Sequence, residues 1–115
     1  MELNDRIESE LTAAETAWST GNPGRARVCA RRAAGLGIRA YYQRRDGPAW
    51  SGDAMKQLIR LRMDPAAPAP VRLAAERLTT QVDLDHQLPF DEAPIEDARR
   101  ILNFVAPQPR GGPTR

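Results

Sequence analysis

Between Asn22 and Arg45 this chain carries its smallest side chains at helical spacing: Ala26, Ala30, Ala33, Gly37 and Ala40 recur at steps of 4, 3, 4 and 3. Residues so placed share one face of an α-helix, and their size lets a neighbouring backbone approach closely. Seven arginines (Arg25, Arg27, Arg31, Arg32, Arg39, Arg44 and Arg45) leave mostly from the flanks and back of that seam. The segment therefore demands a helical packing core with a positive collar. It specifies no reaction.

Composition agrees with a helical core. Over 115 residues, 41% are hydrophobic but only 5% aromatic, which favours closely spaced Ala, Leu, Ile and Val and argues against an aromatic-rich β-sandwich. A chain of this length makes one domain and buries a core without staples. The expected division is a helical-bundle domain over 1–106 and a flexible Pro/Gly/Arg tail over 107–115. Cys29 is the only cysteine, so no internal disulfide forms, and a reducing cytoplasm is expected. The opening Met1-Glu2-Leu3-Asn4-Asp5-Arg6 does not read as a signal peptide, and no run approaches the ~18 apolar residues of a membrane span.

Net charge is +2, unevenly spread. Residues 1–24 hold five acids and one base, residues 25–62 ten bases and two acids, and residues 63–106 four bases and eight acids. Two readings follow. Acidic neighbours packed around the second helix neutralise it, or it offers a basic surface to phosphate or nucleic acid.

Periodicity predicts five helices. Leu3, Ile7, Leu11, Ala14 and Trp18 form the stripe of a first helix over about Asn4–Thr20, with Gly21 as its stop. Asn22-Pro23 restarts the chain as a capping side chain followed by a residue suited to the first helical position. The tight connection makes the first two helices antiparallel neighbours. Gly37 belongs to the seam of the second helix, whereas Gly35 points away from it without evident reason. A third helix over Ser51–Met63, capped by Ser51, presents Met55, Leu58, Ile59 and Leu61. The prolines of Asp64–Pro70 make a stiff connector. A fourth helix starts at Pro70 with Val71, Ala74, Ala75, Leu78 and Val82 inward. Residues 83–93 read as an ordered loop, and a fifth helix runs from about Ala93 to Val105 with Ile95, Ala98, Ile101, Leu102 and Val105 inward. The expected fold is an all-α antiparallel bundle of four to five helices.

This order of helices resembles the HEPN-domain family of small prokaryotic helical bundles over about residues 7–105. The resemblance is carried by Ala14 through Gly21, then the Ala/Arg-rich run Arg25 to Gly35. Further on it is carried by Ala75-Glu76-Arg77-Leu78, Leu88-Pro89-Phe90 and Asp97-Ala98-Arg99-Arg100-Ile101-Leu102-Asn103-Phe104-Val105. It implies a four- to five-helix bundle, often dimeric, working in nucleotide- or RNA-linked processes. Some members are ribonucleases and others partner small nucleotidyltransferases. The ribonuclease members carry Arg, four to six residues, then His. Here His86 is the only histidine and eight residues separate it from Arg77, so that pattern is not met and no catalytic residue is carried over.

The residues themselves point the same way. His86, between Asp83 and Asp85, reads as a solvated or hydrogen-bonded loop histidine rather than a general base. Cys29 beside the seam reads as a buried, inert thiol. One His and one Cys far apart match no zinc spacing, and Asp83, Asp85, Asp91 and Glu92 lack the order of a calcium loop. Neither a metal nor a cofactor is expected. Tyr41-Tyr42 beside Arg44-Arg45 could stack bases and clamp phosphates, with Tyr41 in the core and Tyr42 exposed. The expected function is thus a non-catalytic interaction module that self-associates or meets a protein partner, with Ala26, Ala30, Ala33, Gly37 and Ala40 as its packing seam. The alternative is a nucleic-acid or nucleotide binder using Arg27, Arg31, Arg39, Tyr42 and Arg45.

Overall fold

The computed structural model describes residues 2–80 and 93–107. Five helices follow in order: α1 (Leu3–Ser19), α2 (Pro23–Asp46), α3 (Ala54–Arg62), α4 (Ala69–Thr79) and α5 (Pro94–Val105). The protein is all-α over these residues. Residues 81–92, which include Val82, His86, the acids of that stretch, Leu88 and Phe90, lie outside the described residues, as does the tail from Gln108.

α1 ends in a turn that its sequence encodes. Gly21 adopts φ +79°, a left-handed conformation free of Cβ strain only for glycine. The Gly21 and Asn22 N–H groups donate back to the carbonyls of Trp18 and Ala17, at 3.2 and 2.8 Å. The Asn22 side chain then accepts from the Arg25 N–H at 3.1 Å, capping α2, and Pro23 occupies its first position. Two orphan carbonyls and one orphan donor are satisfied within the three-residue link Thr20-Gly21-Asn22, so α1 and α2 form a tight hairpin.

α2 is the axle of the bundle. It packs against α1, α5 and α3, while α4 bridges α3 and α5. Its seam faces inward as expected: Ala26, Ala30, Ala33 and Gly37 are buried, and Ala40 is half-buried. Leu11, Ile38, Tyr42, Leu58, Leu61, Val71, Leu78, Ile101 and Val105 complete one continuous core with the alanines. Cys29 is buried within α2.

Several expectations need correction. The inward stripe of α1 is Leu11, Ala14 and Ala17, while Trp18 stays 44% exposed and Leu3 lies at the surface. α3 starts later, at Ala54, because Asp53 rather than Ser51 accepts the capping N–H, from Lys56 at 2.9 Å. Leu58 and Leu61 are buried, but Ile59 faces solvent and Met55 is only half-buried. Gly35 has a reason after all. A Cβ there would lie 2.8 Å from both Cα and Cβ of Ala54, so the start of α3 crosses α2 at a point where only hydrogen fits. On the seam side, a Cβ at Gly37 would lie 2.6 Å from Leu102 Cδ2.

Candidate association surface

The arginines of α2 separate into three groups once the neighbouring helices are in place. The first group reaches backbone carbonyls at helix C-termini. Arg27 Nη2 donates to the carbonyl oxygens of Arg77 and Thr80, and Arg31 Nε to that of Leu78 at 2.6 Å, all at the end of α4. Arg44 Nη2 donates to the Val105 carbonyl at 2.6 Å, at the end of α5. The last carbonyls of a helix lack intrahelical partners and carry partial negative charge. Neither α4 nor α5 ends in a glycine turn; their cap residues are Thr80 and Ala106 in extended conformation. Guanidinium groups from α2 serve there instead.

The second group forms a polar and aromatic cluster at the far end of α2. The Tyr42 hydroxyl donates to Asp64 Oδ2 at 2.7 Å, and Arg45 Nη1 meets the same oxygen at 3.1 Å. Arg60 lies over the Tyr42 ring at 3.7 Å and the Trp50 ring at 4.4 Å from their centroids, and pairs with Asp46. Trp50 Nε1 donates to Gln57 Oε1. Burial alone would push the Asp64 carboxyl up. Donors from the Tyr42 hydroxyl, the Ala66 N–H and Arg45 outweigh it and hold the group below the usual carboxylate range. Burial, reinforced by the hydrogen bond to Asp64, pushes the Tyr42 hydroxyl above its ordinary value.

These two groups correct the anticipated binding residues. Tyr42 is 0% exposed and Tyr41 half-buried against Phe104, the reverse of the expected order. Tyr42 lies on the flank of α2 that α3 and the Asp64 turn cover. Arg27 is 4% exposed, Arg31 is half-buried, and Arg45 spans Asp64 and Asp46. Of Arg27, Arg31, Arg39, Tyr42 and Arg45, only Arg39 stands on open surface without such a partner among the described residues. A separate ion pair, also unforeseen, ties α4 to α5: Arg77 Nε and Nη2 both donate to the buried Asp97 carboxylate, the shortest of these bonds 2.8 Å.

The third group makes the surface. Arg25, Arg32 and Arg39 are exposed, spaced seven residues apart, and hold no ion pair among the described residues. Seven residues are nearly two helical turns, so the three guanidinium groups stand on one stripe. Val28, 39% exposed, and the half-buried Leu36 alternate with them. The stripe borders a cleft of about 350 Å³ whose walls include Arg6, Ser9 and Glu10 of α1 and Gly52, Asp53 and Gln57 at the start of α3. The sevenfold spacing was the available signal for Arg25 and Arg32. Sequence alone does not say which arc opposite the seam α3 and α4 will cover.

A second groove, about 340 Å³, runs between α1 and α5 over the seam end of α2. Leu3, Ile7, Leu11 and Leu102 line it, Gly37 and Ala40 form part of its floor, and Arg44 and Arg99 stand among its polar groups. Among the described residues no three His, Cys, Asp or Glu side chains group as metal ligands would. No described helix is long and apolar enough to cross a membrane. No family model, curated protein or solved structure matches the chain.

Proposed function

We propose that this chain is a non-catalytic, HEPN-like helical-bundle module that works by association, first of all with itself, in a nucleotide- or RNA-linked system. The observation that carries the reading is the division of labour on α2. Its inward and flanking polar groups close helix ends and the Asp64 cluster, whereas the Arg25/Arg32/Arg39 stripe holds no ion pair among the described residues. A helix already anchored on its other faces presents such a stripe to a partner as a rigid surface at little ordering cost. By resemblance, a small nucleotidyltransferase is a further candidate partner. Sedimentation velocity of the full chain over the micromolar range tests the reading: a concentration-dependent shift towards dimer supports it, and a strictly monomeric chain removes self-association.

A second reading is favoured by the same exposed guanidinium groups. Arg6, Arg25, Arg32 and Arg39 would follow the phosphates of a nucleic acid or nucleotide, with binding that weakens steeply as salt rises. Anisotropy of a labelled single-stranded RNA at low salt tests it, and no binding there excludes it.

A further inference from the structure

We propose that the groove between α1 and α5 is a binding site for a single-chain organic carboxylate, an alkyl chain carrying one anionic head. The groove exists because α1 and α5 both lie on α2 but scarcely on each other. Its floor is the open end of the seam, at Gly37 and Ala40, and its walls include Leu3, Ile7 and Leu102. These apolar groups are not sealed from water: Leu3 is exposed, and Ile7, Ala40 and Leu102 are each half-buried. The result is a largely apolar channel of about 340 Å³, within the size range of small-ligand sites. Such a site needs no second copy of the chain.

One end of the groove is cationic. Arg44 is exposed and holds no ion pair among the described residues, while its Nη2 is tethered to the Val105 carbonyl at 2.6 Å. That bond uses one of the guanidinium N–H donors, so the group is held in place with donors to spare and its charge unneutralised. The other arginine of the groove, Arg99, is already engaged with Glu15 at 3.0 Å. Glu8 also lines the groove, but away from Arg44. A Cβ at Gly37 would lie 3.9 Å from Ile7 Cδ1, which sets Glu8 nearly level with Gly37. Arg44 is about 10 Å further along α2. A carboxylate head at Arg44 therefore stands clear of Glu8, and its chain runs back over Ala40 and Gly37 between Ile7 and Leu102. The α1 wall from Leu3 to Leu11 is about 12 Å long, the reach of an extended chain of about ten carbons. One unpaired guanidinium matches one negative charge. A phosphomonoester head would bring a second charge with no partner, and an ammonium would be repelled.

The probe is sodium decanoate below its micelle concentration, titrated into the isotope-labelled full chain and followed by NMR. Saturable shifts are expected at Gly37, Ala40, Leu102 and Asn103, with the amides of Arg25, Arg32 and Arg39 unmoved. Decanol, with the same chain and no charge, should bind the wild type about tenfold more weakly, and decylamine more weakly still. Arg44→Gln should weaken decanoate about tenfold and leave decanol unchanged. That substitution also removes the tether to Val105, so circular dichroism checks the fold, and Arg44→Lys, which keeps the charge, should restore part of the affinity. The comparison of decanoate with decanol on the wild type needs neither variant. The site is overturned by the absence of a saturable shift, by shifts that map outside the groove, or by equal affinity for decanoate and decanol. A folded Arg44→Gln protein that binds decanoate unchanged overturns it as well. Groove shifts that track protein concentration with no probe present assign the groove to a second copy of the chain and also overturn it.

Discussion

Gly35→Ala tests the packing argument more sharply than any larger substitution, because two effects of known sign oppose each other. Replacing glycine by alanine inside a helix gains about 1 kcal/mol in propensity. At Gly35 the new methyl would sit 2.8 Å from Cα and Cβ of Ala54, closer than such atoms pack. The first of these is backbone at the opening position of α3, and Asp53 anchors that position by its cap, so it cannot swing aside as a side-chain end would. Overpacking costs about 1–3 kcal/mol, and a backbone obstacle belongs in the upper half of that range. The net expectation is a loss of about 1–2 kcal/mol, read as a fall of about 0.5–1 M in the urea midpoint at unchanged slope. Two other glycines of α2 serve as internal controls. At Gly24 the added methyl meets only Asn22 Oδ1 at 3.9 Å, so Gly24→Ala should stabilise by up to about 1 kcal/mol. At Gly37 the obstacles are Leu102 Cδ2 at 2.6 Å and Val105 Cγ2 at 3.1 Å. Both are side-chain atoms that can yield, so Gly37→Ala should fall between the other two. Combining Gly35→Ala with Ala54→Gly relieves the clash with the Ala54 methyl but not the clash with its backbone, so a double-mutant cycle should recover part of the loss. A Gly35→Ala protein as stable as the wild type, or more so, would refute the close crossing of α2 and α3.

Two further predictions concern buried charge. Asp97 accepts three hydrogen bonds from Arg77 and is itself buried, so Asp97→Asn should cost about 2–3 kcal/mol. The guanidinium is partly open to water, which keeps the cost below that of a fully buried pair; a urea melt indistinguishable from wild type would sink this reading. The Asp64 carboxyl titrates below its unfolded value, so the unfolded chain takes up the proton first on acidification. Its contribution is complete above the unfolded pKa of about 3.9 and fades as the pH drops through the folded value. The stability difference between wild type and Asp64→Asn should therefore be constant near neutrality and shrink below about pH 4, and parallel profiles to about pH 2 would contradict the cluster.

Much of the architecture was legible in the residue order. The stop at Gly21, the cap at Asn22, the proline at the first position of α2 and the alanine seam all act locally. Each needs only neighbours within a few residues. The limits of α5 follow in the same way from Pro94 and from the inward run through Val105. The start of α3 was misplaced because Ser51 and Asp53 are both competent caps, and the choice between them depends on Gln57 reaching Gly52 and on the approach of Ala54 to Gly35.

The candidate surface was harder to read. Arginines carry the same letter whether they close a helix end, sit over a tyrosine ring or stand in water. Arg27, Arg31 and Arg44 find partners in the carbonyls of Arg77, Thr80, Leu78 and Val105, groups every residue possesses and no side-chain pattern marks. Among the described residues, Asp64 and Asp46 pair with α2 at Arg45. By itself the sequence determined where α1 stops, where α2 starts and that α2 would bury its narrowest face, since those outcomes depend on local sterics and capping. Only the tertiary structure decided which arc of α2 remained open, because that depends on where α3 and α4 come to lie, and the helix ends that hold them there are backbone.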